Sequence, residues 1–275
     1  MWRVGLPEFE DRRLSFGAAA TAYADHRPGY PRAAVDWVLS AATGDVVAVA
    51  DVGAGTGALT RQLVDAGFSV SAFDEDEGML AELARRVPGV SVVRSPAESL
   101  PLSTSEVDAL FAAQAWHWFA QPATAREFLR VVRPGGVIGL LWNNRDSRVP
   151  WLGELAGLVD GTDSASGGVD QTTADIRSVH PAVEHADFSH AVLMRPDEVV
   201  GLVSTLSNVS RRPDADRVHA AVRDLLATHP DTAGRTKVEM RYVTVSYRIP
   251  AGRGTVPRGR SRPGSSKEAA WTACP

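Results

Sequence analysis

Apolar residues recur at two different periods along this chain, and the two periods alternate. Val46, Val47, Ala48, Val49 and Ala50 run into Asp51 and read as a buried strand over 46–51. The next segment sets Leu59, Leu63 and Ala66 on one face of a helix over 57–66. The unit then repeats: a strand over 69–74, a helix carrying Met79, Leu80, Leu83 and Val87, and a strand over 90–94. A polar connection through Pro96 and Pro101 leads to a strand over 107–112. A helix with Ala125, Phe128, Leu129 and Val132 runs to Pro134-Gly135-Gly136, and a strand over 137–142 follows. Ahead of these, Pro31 opens an amphipathic helix with Val35, Val38, Leu39 and Ala42 inward. Such alternation predicts a parallel sheet covered on both faces by helices.

The pattern changes after about residue 150. Residues 160–171 read as a loop, followed by a strand near 186–194 and a helix with Val199, Val200, Leu202 and Val203. A further helix carries Val218, Val222, Leu225 and Leu226, and a strand with Tyr242, Val243, Val245 and Tyr247 closes the series. Two late strands joined by helices suit an antiparallel addition at the sheet edge. From Pro250 onward periodicity stops, and this stretch carries a net charge of +4 against −8 for the rest. It reads as a disordered basic tail, a passive extension rather than a nucleic-acid arm.

Composition narrows the classes. The 275 residues are 44% hydrophobic and 23% charged, with a net charge of −4, so the whole chain offers no nucleic-acid footprint. Its single cysteine, Cys274, excludes a disulfide framework and a cysteine-rich zinc site and makes a reducing cytoplasm the default. Charges at Glu8, Glu10, Asp11, Arg12 and Arg13 interrupt any secretory signal, and no stretch is apolar enough for a transmembrane helix. No histidines and carboxylates have metal spacing; His185 and His190 would face opposite sides of a strand.

The chemistry concentrates at Asp51-Val52-Gly53-Ala54-Gly55-Thr56-Gly57, between the first strand and its helix. Glycines there permit positive φ and remove the Cβ atoms that would hold a ligand off the backbone. The helix start presents free N–H groups to an anionic group. Seventeen residues beyond Gly57, Asp74 ends the second strand, where nucleotide-binding α/β folds place the carboxylate that grips ribose hydroxyls. Gly53, Gly55 and Ala58 also satisfy the dinucleotide fingerprint, so on these residues alone NAD stays open.

Further segments carry a resemblance. Asp51-Val-Gly-Ala-Gly-Thr-Gly, followed by Phe73-Asp74-Glu-Asp-Glu-Gly-Met-Leu, resembles the first two motifs of class I S-adenosylmethionine-dependent methyltransferases. Ser95-Pro-Ala-Glu98-Ser-Leu-Pro101 is similar to the adenine-recognition element, and Ala113-Gln114-Ala115-Trp116-His117-Trp118-Phe119 to the active-site end of the fourth strand. Arg133-Pro134-Gly135-Gly136 resembles the turn before the fifth strand. Phe16-Gly17, Tyr23 and Arg27-Pro28-Gly29-Tyr30-Pro31 are similar to the lid of the small-molecule branch, near the trans-aconitate methyltransferase type. The resemblance spans roughly residues 15–249. It implies a Rossmann-like, doubly wound, mostly parallel seven-stranded sheet with the last strand pair partly antiparallel. The implied organisation is a lid at 1–30, a catalytic domain at 31–249 and the tail at 250–275.

The resemblance also implies roles. Asp74 would accept both ribose hydroxyls of S-adenosylmethionine, and Gly53, Gly55 and Gly57 would bring the backbone against the cofactor. Asp51 would reach its ammonium or cap the turn. Ala97 and Glu98 would lie by the adenine, and Tyr23 and Arg27 would cover the cofactor, with Arg27 at its carboxylate. Gln114 would sit beside the transferring methyl, and His117 would be a general base or a packing residue between Trp116 and Trp118. The acceptor would be a small molecule, because Gln114-Ala115-Trp116-His117 departs from the Asn/Asp-Pro-Pro-Tyr tetrad of nucleobase amino methyltransferases.

Two rival readings remain. An NAD-dependent short-chain dehydrogenase needs a tyrosine and lysine four residues apart, and none of Tyr23, Tyr30, Tyr242 or Tyr247 has one. A methyltransferase-like binding module without activity would require cofactor motifs serving no turnover.

Overall fold

The computed structural model describes residues 27–160, 174, 182–210 and 212–252. Strand β1 (Ala48–Val52) pairs in parallel with β2 (Ser69–Asp74) on one side and β4 (Val107–Ala113) on the other. Outside them, β3 (Ser91–Arg94) pairs in parallel with β2, and β5 (Val132–Arg145) with β4. β7 (Val238–Pro250) runs antiparallel against β5, and β6 (Glu184–Met194) antiparallel against β7. The order is β3-β2-β1-β4-β5-β7-β6, the mostly parallel seven-stranded sheet expected from the sequence. Chain direction reverses its march across the sheet between β1 and β4. That reversal opens a crevice at the C-terminal ends of the strands, where open α/β sheets bind ligands.

Helices cover both faces for the reason their periodicity gives. On one face, α1 (Arg32–Leu39) and α2 (Ala58–Asp65) insert Val35, Val38 and Leu63 against Val49, Phe111 and Leu141. On the other, α4 (Ala123–Val131) sets Phe128 against Leu110, Leu140 and Tyr247. Truncating a side chain such as Phe128, fully buried here, costs about 3–5 kcal/mol by lost transfer energy and cavity formation. Between β2 and β3, α3 (Glu77–Arg86) starts at Asp76, whose carboxylate accepts the N–H groups of Gly78 and Met79. That satisfies two of the otherwise unpaired donors of a helix start.

Two elements depart from expectation. β5 begins at Val132 rather than 137, and runs through Pro134-Gly135-Gly136 with a register shift opposite Val107 and Ala109. The Pro-Gly-Gly is therefore a bulged part of the strand. Gly135 has φ 82, and a Cβ on Gly136 would meet the Asp108 carbonyl at 2.4 Å.

The second departure is α5 (Pro150–Asp160), which buries Trp151, Leu152, Leu155 and Val159. With α6 (Pro196–Ser204), the short α7 (Ser207–Ser210) and α8 (Ala215–Thr228), it forms a separate apolar cluster on Met240 and Tyr242 of β7. This helical cap stands over the β5–β7 end of the sheet. Tyr23, the segment from 161 and the tail from 253 lie outside the described residues, as does most of the expected lid.

Candidate active site

One cleft opens along the C-terminal edge of the sheet. Its first wall is the turn after β1. Gly53, Gly55 and Gly57 all have positive φ, at 68°, 55° and 85°. A Cβ on Gly53 would approach Ala115 Cβ to 2.5 Å and Phe119 Cζ to 2.9 Å, whereas one on Gly55 would meet nothing. Gly53 thus lets the turn close onto the β4 loop, and Gly55 leaves open space where a ligand can reach the backbone. Gly57 differs from its expected role. It does not line the cleft, and its Cβ would strike Leu83 Cγ at 2.8 Å, so it serves the packing of α2 on α3.

The two acids of this wall are held by defined donors. Asp74 receives the Gly55 N–H at 2.8 Å and the Asp76 N–H at 2.9 Å, one on each carboxylate oxygen. Each oxygen keeps a lone pair for a ligand hydroxyl. Burial pushes the Asp74 pKa up, opposed by the N–H groups of Asp76 and Gly55. Asp51 is 1% exposed and accepts the Thr60 hydroxyl at 2.6 Å. Burial pushes its carboxyl up to about 7, against the Thr60 bond, with the charge of Asp74 adding to the rise. Asp51 therefore braces α2 and also lines the cleft.

Beyond β3, Ala97 and Ser95 line the cleft, and the Ser95 hydroxyl is buried without a partner among the described residues. Glu98 does not line the cleft. Its Oε1 accepts the Ala120 N–H at 2.7 Å and the Thr124 hydroxyl at 3.2 Å, tying down the start of α4.

At the end of β4, Gln114 lines the cleft with φ 56, a left-handed conformation that costs a non-glycine residue about 1–3 kcal/mol. Its Nε2 donates to the Asn143 carbonyl at 3.0 Å, which fixes the amide in place. His117 falls outside the lining. Its Nδ1 accepts a long 3.4 Å bond from Trp142 Nε1, and its ring tilts against Trp118 at 5.0 Å between centroids. An imidazole that accepts at Nδ1 carries its proton at Nε2 and has no spare lone pair for a substrate. The protein around it lowers its pKa to about 4, although solvent reaching its exposed edge moderates that shift. Both facts argue for packing over general-base work. Of the neighbouring rings, Trp116 and Phe119 pack on Phe128, while Trp118 and Phe119 reach the cleft.

The far end of the cleft was not anticipated from the sequence. Asn143 and Arg145 of β5, Tyr242 of β7, and Leu202 and Leu206 of the helical cap line it. Asn143 is held by three bonds: its Nδ2 donates to the Gly29 carbonyl at 2.9 Å, its Oδ1 accepts from Thr244 at 2.6 Å, and its carbonyl receives Gln114. Arg27 lines the cleft beside Pro28 and Tyr30 and donates to the Thr205 carbonyl at 3.4 Å, joining the N-terminal segment to the cap.

Comparison with known proteins gives this geometry its context. Residues 50–140 match a family model described as a methyltransferase domain. The chain is 38% identical over 240 residues to an uncharacterized methyltransferase of Mycobacterium tuberculosis, covering 86% of this chain and 96% of that protein. The chain belongs to the class I S-adenosylmethionine-dependent methyltransferases.

An uncharacterized methyltransferase-like protein of Schizosaccharomyces pombe is also similar, at 26% identity over 85% of this chain and 94% of its own length. Among solved structures, a candidate type II methyltransferase from Anaeromyxobacter dehalogenans shares the fold, with TM-score 0.64, 24% identity and coverage of 83% of this chain and 99% of that one. A phosphoethanolamine N-methyltransferase of Haemonchus contortus, solved with phosphomonomethylethanolamine and S-adenosylhomocysteine, shares it at TM-score 0.54 and 14% identity, over 91% of this chain and 61% of that one. Membership in this family displaces the dehydrogenase reading of the glycine turn.

The methyltransferase's residues fit its cofactor. Asp74 has lone pairs for two ribose hydroxyls, Gly55 leaves the cradle a backbone-hugging ligand needs, and the unpartnered Ser95 hydroxyl faces the cleft next to Ala97, where an adenine edge would bring polar atoms.

Proposed function

We propose that this methyltransferase moves a methyl group to an oxygen, nitrogen or carbon nucleophile of a small molecule. The observation that carries the reading is a single cleft with two unlike ends. It runs from Asp51, Asp74 and Ser95 at one end to Arg145, Tyr242 and Leu202 at the other. The donor takes the end at Asp51, Asp74 and Ser95, and the acceptor takes the end under Leu202 and Leu206. That apolar roof suits a compact molecule better than a polymer.

Bound S-adenosylmethionine supplies a methyl on a cationic sulfonium: the nucleophile's lone pair forms the new bond as the carbon–sulfur pair returns to sulfur, leaving neutral S-adenosylhomocysteine. The chain's own task is alignment, and positioning of this kind can contribute ~7–11 kcal/mol of the barrier. Asp74 fixes the ribose, Asp51 faces the ammonium, and Arg27 covers the methionine end. Gln114, clamped by Asn143, orients the nucleophile through its free amide oxygen. His117 is assigned to packing. Residues 31–249 form the catalytic domain, 250–275 are a passive tail, and the enzyme works in the cytoplasm.

Calorimetry of the full chain with S-adenosylmethionine, S-adenosylhomocysteine and NAD tests this reading. The first two bind and raise the melting temperature by linkage, and NAD does neither. Binding of NAD alone would overturn the reading, and binding without turnover across carboxylates, phenols and amines would favour an inactive module.

A further inference from the structure

The acceptor end of the cleft holds a polar group that no described residue satisfies. Tyr242 is 4% exposed, its hydroxyl has no hydrogen-bond partner among the described residues, and it lines the cleft. Buried hydroxyls in folded proteins are nearly always paired, and an exception on a cavity wall points to a ligand. Directly opposite Tyr242 in the β5–β7 ladder stands Arg145, so the two side chains project from one face, and Arg145 lines the same cleft.

The electrostatics agree with the placement. Burial pushes the Tyr242 phenol up to about 12, opposed by the positive fields of Arg145 and Arg27. The phenol therefore stays protonated and can only donate to an anion. Next to Tyr242 in β6, His190 stacks on its ring at 5.4 Å and 22°. His190 Nδ1 lies 3.3 Å from the Thr244 hydroxyl, which anchors the stack to Asn143. The tyrosine is thus held rigid from behind.

Among the described residues, the acids that line the cleft are remote. Asp51 lies on β1, three strands from the β7 of Tyr242, and Asp74, with Glu75 and Asp76 just beyond it, ends β2, four strands away. At ~4.8 Å per strand those separations are roughly 14 and 19 Å. A negative group at Tyr242 meets cations there rather than the carboxylates that hold the ribose.

We propose that the methyl acceptor carries an oxyanion, a carboxylate or a phosphate monoester, bound between the Arg145 guanidinium and the Tyr242 hydroxyl, with its apolar body against Leu202 and Leu206. A planar guanidinium beside a hydroxyl donor matches the geometry and charge of such a group. The proposal rests on the small-molecule methyltransferase reading and narrows its acceptor class. Pairing with Arg145 withdraws electron density from the bound oxygens, so this group is an anchor. The atom that takes the methyl lies elsewhere on the molecule, toward Gln114.

Ligand-observed NMR on the full chain, with and without S-adenosylhomocysteine, tests the site with phenylacetate, phenyl phosphate and neutral phenylacetamide as probes. At least one anion binds tenfold or more tightly than the amide, by the strength of charge-assisted bonds. Tyr242→Phe and Arg145→Gln each weaken that anion at least fivefold, while S-adenosylhomocysteine affinity by calorimetry stays within about twofold. The anion that binds tighter names the acceptor as an organic acid or a phosphomonoester. Equal binding of the amide, or anion binding undiminished by Tyr242→Phe, overturns the proposal; that variant keeps the ring and decides the matter even if Arg145→Gln fails to fold. Anion selectivity in a protein that does not bind S-adenosylhomocysteine would uphold the oxyanion site and sink the donor reading instead.

Discussion

The end of the cleft assigned to the methyl donor and the end proposed for the acceptor are built by different means. At the donor end, six consecutive residues from Asp51 to Thr56 shape one wall, and its contacts are largely backbone: the positive-φ Gly53 and Gly55, and N–H groups that pin Asp74. At the acceptor end the wall is made of side chains from β5, β7 and the helical cap, with Arg145 and Tyr242 meeting only through strand register. A ligand that never changes can be met by backbone, which substitution cannot alter. An acceptor that differs between enzymes is met by side chains, which can be exchanged without disturbing the sheet. The contrast teaches why much of the wall assigned to the cofactor is written in one short segment, while the end proposed for the acceptor is scattered over a hundred residues.

The largest effect expected from this contrast falls on stability. Gly53→Ala places a methyl 2.5 Å from Ala115 Cβ at a φ of 68°. Left-handed strain of ~1–3 kcal/mol and overpacking of similar size should together lower the denaturation midpoint strongly. Chemical denaturation measures it, and a midpoint like that of the parent would show that the turn yields. No single residue of the acceptor end should match this cost.

A smaller effect concerns pH. Asp51 has its carboxyl raised from 3.8 to about 7, so the folded protein holds an extra proton between those values. The stability of the ligand-free protein therefore falls as pH rises through that window and levels off above about 7. Because a cofactor ammonium favours the ionised form, S-adenosylmethionine affinity should rise with pH, by up to roughly tenfold per unit below 7, and then flatten. Calorimetry from pH 5.5 to 8.5 checks this, with Asp51→Asn expected to remove the slope. A slope that survives Asp51→Asn would assign it to another group.

The smallest effect belongs to His117, placed beside the cleft without lining it. His117→Gln should leave turnover within about twofold, where loss of a general base would cost on the order of 10²–10⁴. Steady-state rates on an identified acceptor decide between them.

How much of this was legible in the sequence follows from the same division. The sheet could be read because strands and helices alternate without interruption from residue 46, and the glycine turn because each glycine answers a backbone demand. β5 was read short because Pro134-Gly135-Gly136 has the composition of a turn, and only the register shift against β4 shows that the strand passes through it. α5 went unread although Trp151, Leu152, Leu155 and Val159 keep helical spacing, because Pro150, Gly153 and Gly157 break the polar face. Glu98 sits in a recognisable motif, but its partners Ala120 and Thr124 lie more than twenty residues away. Gly57 looks like Gly53 and Gly55 in sequence; only the nearness of Leu83 separates its task from theirs. Arg145 and Tyr242 carry no local signal, since their meaning comes from pairing across a ladder 97 positions apart.

The division of the cleft is tested most directly by one measurement: S-adenosylhomocysteine affinity, by calorimetry, in Asp74→Ala and in Tyr242→Phe. Asp74→Ala removes two charge-assisted bonds to the ribose, each contributing ~1.5–3 kcal/mol before compensation, so affinity should fall at least tenfold with the fold intact. Tyr242→Phe should leave it within about twofold, because the hydroxyl serves the other end of the cleft. Unchanged affinity in Asp74→Ala, or equal losses in both variants, would contradict a cleft divided into a donor end and an acceptor end.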